Sequence, residues 1–258
     1  MSEALERARV SAYGPEEYVG QEGFMSAAEI RALAVEAGVE RGSSVLDLCC
    51  GVAGPGRLIA RELGCTYLGV DHSSSAIDTA RRAAGDLPCR FEVARVPPIP
   101  AGPFDVVLLL ETMLAFRDKD TLIHEISRAL DIGGRFAFTM EEGLPLTEAE
   151  RETMPDSDTV WLTPLDEMLT CLDRAGLVVR TQDDHSRAHR AVASALADAF
   201  TTDATDIAAQ NGRPALDDLL AAHRLWSEWL GSGRVRKLAL VAEKRHAPCA
   251  APREPAAR

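Results

Sequence analysis

Gly51, Gly54 and Gly56 follow directly on the apolar run Val45 to Leu48, and Asp71 ends a second apolar run 20 residues after Gly51. Residues of these types at this spacing suit the grip of a nucleoside cofactor. Glycine lets the backbone approach a ligand, and free amides at the start of the following helix favour an anionic group such as a carboxylate or phosphate. A carboxylate at the end of the second strand can accept from both hydroxyls of a ribose, its plainer use being a cap or turn. The order of the glycines separates two cofactor classes. A dinucleotide wants G-x-G-x-x-G, whereas here Cys49 stands where the first glycine would fall. S-adenosylmethionine has no phosphate, so a side chain at position 49 is more tolerable to it.

Further chemistry-bearing residues gather after the later strands. Glu111 ends the fourth apolar run, where it is a general base, a contact for the methionine ammonium or a solvated strand-end residue. Glu141 and Glu142 follow the fifth strand, and His185 and His189 the sixth; either pair borders a substrate pocket or sits in solvent as ordinary loop residues. Of the four, His185 is taken with Glu111 as a candidate catalytic base. Trp226 and Trp229 either pack in a core or line a pocket. His124 lies off its helix's apolar stripe and is expected to be exposed. The six cysteines show no C-x-x-C or Cys/His ligand spacing, which predicts reduced thiols and no metal, with Cys50 and Cys65 in the core.

The elements that must position these residues alternate strand with helix, the pattern of a parallel sheet covered on both faces. Helix 27–37 opens with the capping box Ser26-x-x-Glu29 and ends at Gly38. Ser74 or Ser75 can cap the helix that stops at Gly85. Strands follow at 89–93 and 104–110, the latter apolar throughout and so buried on both faces. Helix 120–130, strand 135–140, a helix through Ala175, strand 177–181 and strand 237–242 complete the set. Helical patterns at 188–200, 205–210 and 214–230 separate the last two strands and look like an inserted cap. The expected organisation is an N-terminal lid over 1–25, a core over 26–182 plus 235–246, a cap over 183–234 and a disordered tail over 247–258.

Composition narrows the partners. The chain has 258 residues, 46% hydrophobic and 26% charged, which suffices for a full core. A net charge of −12 with no basic cluster argues against nucleic acid. No signal-like apolar core opens the sequence and no run approaches a membrane span, so a cytoplasmic protein acting on a small molecule, without a membrane partner, is expected.

The run Val45-Leu46-Asp47-Leu48-Cys49-Cys50-Gly51-Val52-Ala53 resembles the first motif of the class I S-adenosylmethionine-dependent methyltransferases, Val-Leu-Asp-x-Gly-x-Gly-x-Gly, and is similar to the type 11 members in particular. Two of the three glycines are replaced, at Cys49 and Ala53. Phe104-Asp105, the turn Leu130 to Arg135 and Ala175-Gly176-Leu177 look like the family's later motifs. The resemblance implies a Rossmann-like α/β fold whose seven-stranded, mostly parallel sheet runs 3-2-1-4-5-7-6, with the cofactor at the carboxyl ends of strands 1, 2 and 4. It gives Asp47 to the organisation of the cofactor loop, Cys49 and Gly51 to the wall beside the methionine end, and Asp71 to the ribose. His72 is an adenine contact or a loop residue. The family's usual Asp after strand three is missing; Arg95 lies near its place, an arginine accepts nothing, and backbone at Arg95 and Val96 would have to read the adenine edge. Tyr13 and Tyr18 fall in a segment that in similar enzymes folds over the cofactor.

The leading expectation is a small-molecule methyltransferase, O-, N- or C-directed, of the kind found in specialised metabolism, with a homodimer as one oligomeric option. The alternatives are a non-methylating enzyme such as a cyclase, or a catalytically silent binding protein on the same fold.

Overall fold

In the computed structural model, which describes residues 2–245, seven strands form one sheet. They are β1 (Ser44–Leu48), β2 (Thr66–Asp71), β3 (Cys89–Val93), β4 (Phe104–Leu109), β5 (Leu130–Glu142), β6 (Leu177–Asp184) and β7 (Arg236–Lys244). Their order is β3-β2-β1-β4-β5-β7-β6, with β7 antiparallel to both neighbours and the remaining pairs parallel. This is the expected sheet. Leu46, Val107 and Phe136 are wholly buried because the central strands carry helices on both faces.

Helices α1 (Glu3–Tyr13), α2 (Ala27–Glu36), α3 (Gly54–Leu63), α4 (Ser74–Ala84), α5 (Lys119–Ala129), α6 (Glu148–Thr153) and α7 (Leu165–Arg174) precede β6, while α8 (Ser186–Thr202), α9 (Ala204–Asn211) and α10 (Arg213–Ser232) lie between β6 and β7. The Ser26/Glu29 capping box forms as read. The cap of α4 is Ser73, whose hydroxyl accepts from the Ala76 N–H, rather than Ser74 or Ser75, which lie inside the helix. Helix α1 was not anticipated within the lid segment. Ala4 and Ala8 on α1 share an apolar core with Leu196, Phe200, Ile207 and Leu216, so the N-terminal helix packs as a fourth member of the inserted block. Among the described residues, no helix is long and apolar enough to cross a membrane. The tail expected to be disordered, 247–258, lies outside the described residues.

Candidate active site

A cavity of about 270 Å³ opens at the carboxyl ends of β1 and β4, lined by Asp47, Cys49, Gly51 and Glu111 on the sheet side and by Gly20 and Gly23 on the other. The turn after β1 makes its floor. Cys49, Gly51 and Ala53 have φ of 59°, 55° and 55°, so both residues that replace motif glycines keep the left-handed conformation glycine prefers. Holding a non-glycine residue there costs about 1–2 kcal/mol each, and such strain clusters where a backbone is shaped for a ligand.

Two aspartates brace this turn. Asp71, buried at the end of β2, accepts from the Gly51 N–H at 2.9 Å through one oxygen and from the Ser73 N–H at 2.8 Å through the other. Asp47 is buried and accepts from the Tyr67 hydroxyl. Burial pushes its carboxyl up to about 7 despite that bond, with Asp71 adding to the rise. Tyr67 reaches Asp47 by crossing beneath α3 at Gly56, where a Cβ would lie 2.1 Å from the tyrosine ring. Burial and the same aspartates push the Cys49 thiol up to about 12, so it is no thiolate nucleophile near neutrality.

The segment between α1 and α2 forms the opposite wall and is held shut by its own bonds. The Arg9 guanidinium donates to the carbonyls of Gln21 and Glu22 at 3.1 and 3.3 Å, and the Gln21 amide donates to those of Glu17 and Met25. The Tyr13 hydroxyl donates to the Gly23 carbonyl, and the Tyr13 and Tyr18 rings lie 5.8 Å apart. These tyrosines brace the wall from behind; neither lines the cavity. The Phe24 N–H donates to Oε2 of Glu111 at 2.7 Å, which joins wall to sheet.

Glu111 heads a buried charge network. Its backbone φ is 60°, its Oε1 lies 2.9 Å from Lys237 Nζ, and Thr139 bonds both its backbone N–H and its carboxylate. Lys237, which is 2% exposed, also pairs with Glu141 directly across the β5–β7 ladder. Burial opposes both charges. The Lys237 ammonium nevertheless holds Glu111 below the usual carboxylate range, and Glu111 with Glu141 holds Lys237 above the usual lysine range. Glu111 is therefore a fixed anion on the cavity wall.

Residues 45–134, the stretch holding the turn, Asp71 and Glu111, match the family described as a methyltransferase domain. Methyltransferase GfsG of Streptomyces halstedii is 33% identical over 105 residues, covering 38% of this chain and 38% of that protein, so the chain spans well under half of that curated relative. The cyclopropane synthase MmaA2 of Mycobacterium tuberculosis shares the fold with a TM-score of 0.79 at 12% identity, covering 95% of both chains. The [4+2]-cyclase SpnF does so with 0.74 at 18% identity, covering 95% of this chain and 94% of that one.

The fold brings Asp47, Cys49, Gly51 and Glu111 together at the cavity and sets Asp71 behind the glycine turn. His72 is largely exposed beside Asp71, its Nδ1 3.5 Å from Oδ1, and Arg95 is exposed while Val96 packs on the sheet's second core. These three lie outside the cavity lining. Trp226 packs edge-on to Trp229, ring centroids 5.5 Å apart, against a satellite core containing Leu162 and Val235. Cys65 is buried, Cys50 half-buried against the core, and His124 exposed as expected.

The solvated reading fails for all four residues at the ends of β5 and β6, Glu142 being half-buried and 3.0 Å from the Arg236 guanidinium. Glu141 is buried on Lys237, His189 is wholly buried, and His185 is half-buried with Nδ1 2.6 Å from Oε1 of Glu29. That bond raises the His185 pKa above its ordinary value. Sequence reasoning missed Lys237 and Glu29 as site residues. A lysine at the head of the apolar run Leu238 to Ala242 was the available signal for the first, since a buried ammonium needs carboxylate partners.

Proposed function

We propose that the chain binds S-adenosylmethionine in this cavity and transfers its methyl group to a small-molecule acceptor. The observation that carries the reading is the glycine turn at Cys49 to Ala53, strained into left-handed backbone and bonded to Asp71, lining one cavity with the fixed Glu111 anion. A volume of about 270 Å³ suits the methionine end, while the ribose would bind at Asp71 and the adenine beyond it at His72, Arg95 and Val96. The negative wall favours a ligand bearing a sulfonium and an ammonium. Asp47, Cys49 and Gly51 shape the loop around that end.

Methyl transfer needs little acid–base chemistry, because the sulfonium is an activated electrophile and rate comes largely from aligning the acceptor with the methyl group. Glu111 acts here as an electrostatic anchor, since a carboxylate held by an ammonium and two further donors is a poor base. His185 lies outside the cavity lining and is bonded to Glu29, so it is not a free base there; Trp226, Tyr13 and Tyr18 are assigned to the cap and lid that bound the acceptor space. The reading is tested by calorimetry with S-adenosylmethionine and its demethylated product, followed by product analysis on acceptor panels. Absence of binding at millimolar ligand removes it. Binding with turnover but no demethylated cofactor would instead give a non-methylating enzyme on the same site.

A further inference from the structure

Glu29, His185 and His189 meet where α2, the end of β6 and the first turn of α8 converge, and one ligand atom from each lies within 4.8 Å of the others. His185 Nδ1 stands 2.6 Å from Oε1 of Glu29, and His189 Nε2 3.3 Å from Oε2. We propose that these three side chains form a site for a first-row divalent transition metal ion such as zinc, cobalt or nickel.

Four observations carry it. The histidines stand four apart at the start of α8, which puts both rings on one helix face, as in helical metal sites built on paired histidines. Glu29 is already oriented, because the Ser26 N–H donates to Oε2 at 2.8 Å within the capping box; metal-binding carboxylates are commonly held this way by a second hydrogen bond. Protein groups leave His189 poorly satisfied, since the ring is wholly buried, its Nε2 has one long contact and its Nδ1 has none. Finally, Glu29 and His185 keep 16% and 22% side-chain exposure, which leaves an entry path and an open coordination position.

Two imidazoles and one carboxylate select the metal class. Magnesium and calcium want oxygen ligands, whereas zinc, cobalt and nickel take imidazole nitrogen at about 2.0–2.1 Å. Ligands that distance from a tetrahedral ion stand about 3.3–3.4 Å apart; the His189–Glu29 pair at 3.3 Å already has that spacing, and the His185–Glu29 pair at 2.6 Å would open to admit the ion. The site is one residue behind the cavity wall. The Phe24 ring lies edge-on to His189 at 6.2 Å, while the Phe24 N–H binds Glu111. A metal ion here would clamp α2, which follows the lid segment, to α8 of the cap, and this assignment stands whether or not the cavity binds S-adenosylmethionine.

The test uses the full chain, stripped with chelator and titrated calorimetrically with zinc chloride, with cobalt as a spectroscopic probe. The expected result is one ion per chain, a rise in melting temperature with zinc, and an affinity at least tenfold weaker in Glu29→Gln and in His185→Gln. Glu29→Gln retains a residue able to complete the capping box, so its thermal unfolding without metal reports whether the fold survives. The proposal is overturned if no zinc or cobalt binds at about 100 μM, or if affinity is unchanged in both variants. A sulfur-to-cobalt charge-transfer band would place the ion on the cysteines and overturn it as well.

Discussion

Gly23 and Glu111 are packed so closely that a Cβ on the glycine would lie 2.3 Å from Oε2 of the glutamate. The wall of the cavity can approach the sheet only because that position carries no side chain. Glu111 cannot yield, since Lys237, Thr139 and the Phe24 N–H hold its carboxylate from three directions. Gly23→Ala should therefore push the wall outward while leaving the sheet intact. We expect affinity for S-adenosylmethionine to fall about tenfold, near 1.4 kcal/mol, with only a small loss of thermal stability. Unchanged binding by calorimetry would mean that this wall does not touch the cofactor.

Asp71 both braces the Gly51 turn and, in the proposed complex, receives the ribose hydroxyls. Asp71→Ala removes both functions and should weaken S-adenosylmethionine by at least about tenfold. Asp71→Asn separates them. An amide keeps one acceptor for the ribose or the Gly51 N–H but places a donor toward the other, so its affinity should fall between wild type and Ala. Equal affinity in all three proteins would move the ribose elsewhere.

Asp47 gives a pH signature. Its carboxyl, pushed up to about 7 by burial, is protonated below that value and ionised above it in the free protein. A cationic ligand favours the ionised form, so binding lowers this pKa, releases a proton near neutrality and grows tighter as pH rises toward 7, then levels off. Calorimetry in buffers of different ionisation enthalpy should report release of roughly half a proton at pH 7. Asp47→Asn should abolish the release; its persistence in that variant would assign the proton to another group.

Much of the fold is legible because periodic apolar runs and their punctuation sit in one local stretch of chain. The capping box at Ser26 and Glu29 and the apolar run of β4 are examples. Helix α1 was hidden because its buried face is built mainly from Ala4 and Ala8, whose small side chains barely raise the periodic signal. The turn at Cys49 to Ala53 reads as a binding loop from its glycines, but its strain does not, since a residue's type does not disclose a positive φ. Glu29 meets His185 across 156 residues and His189 across 160, and no local spacing encodes that meeting. Charged residues after a strand read as solvent-facing; Glu141 is buried instead because β7 returns antiparallel and sets Lys237 opposite it.

The same return fixes the last prediction. Lys237 is the ammonium held between Glu111 and Glu141, and all three are largely buried, so removing it leaves two carboxylates facing each other without a counter-charge. Lys237→Met keeps the volume and the apolar stem but should destabilise the protein by about 3–5 kcal/mol, the usual cost of stranding a buried charge. Pairing it with Glu141→Gln removes one stranded anion and should recover part of that loss in urea unfolding. Glu111 remains in the double variant without its ammonium, so its pKa rises and cofactor affinity should become weaker and steeper with pH. A double variant no more stable than Lys237→Met would show that Glu141 is not a stranded anion once the ammonium is gone.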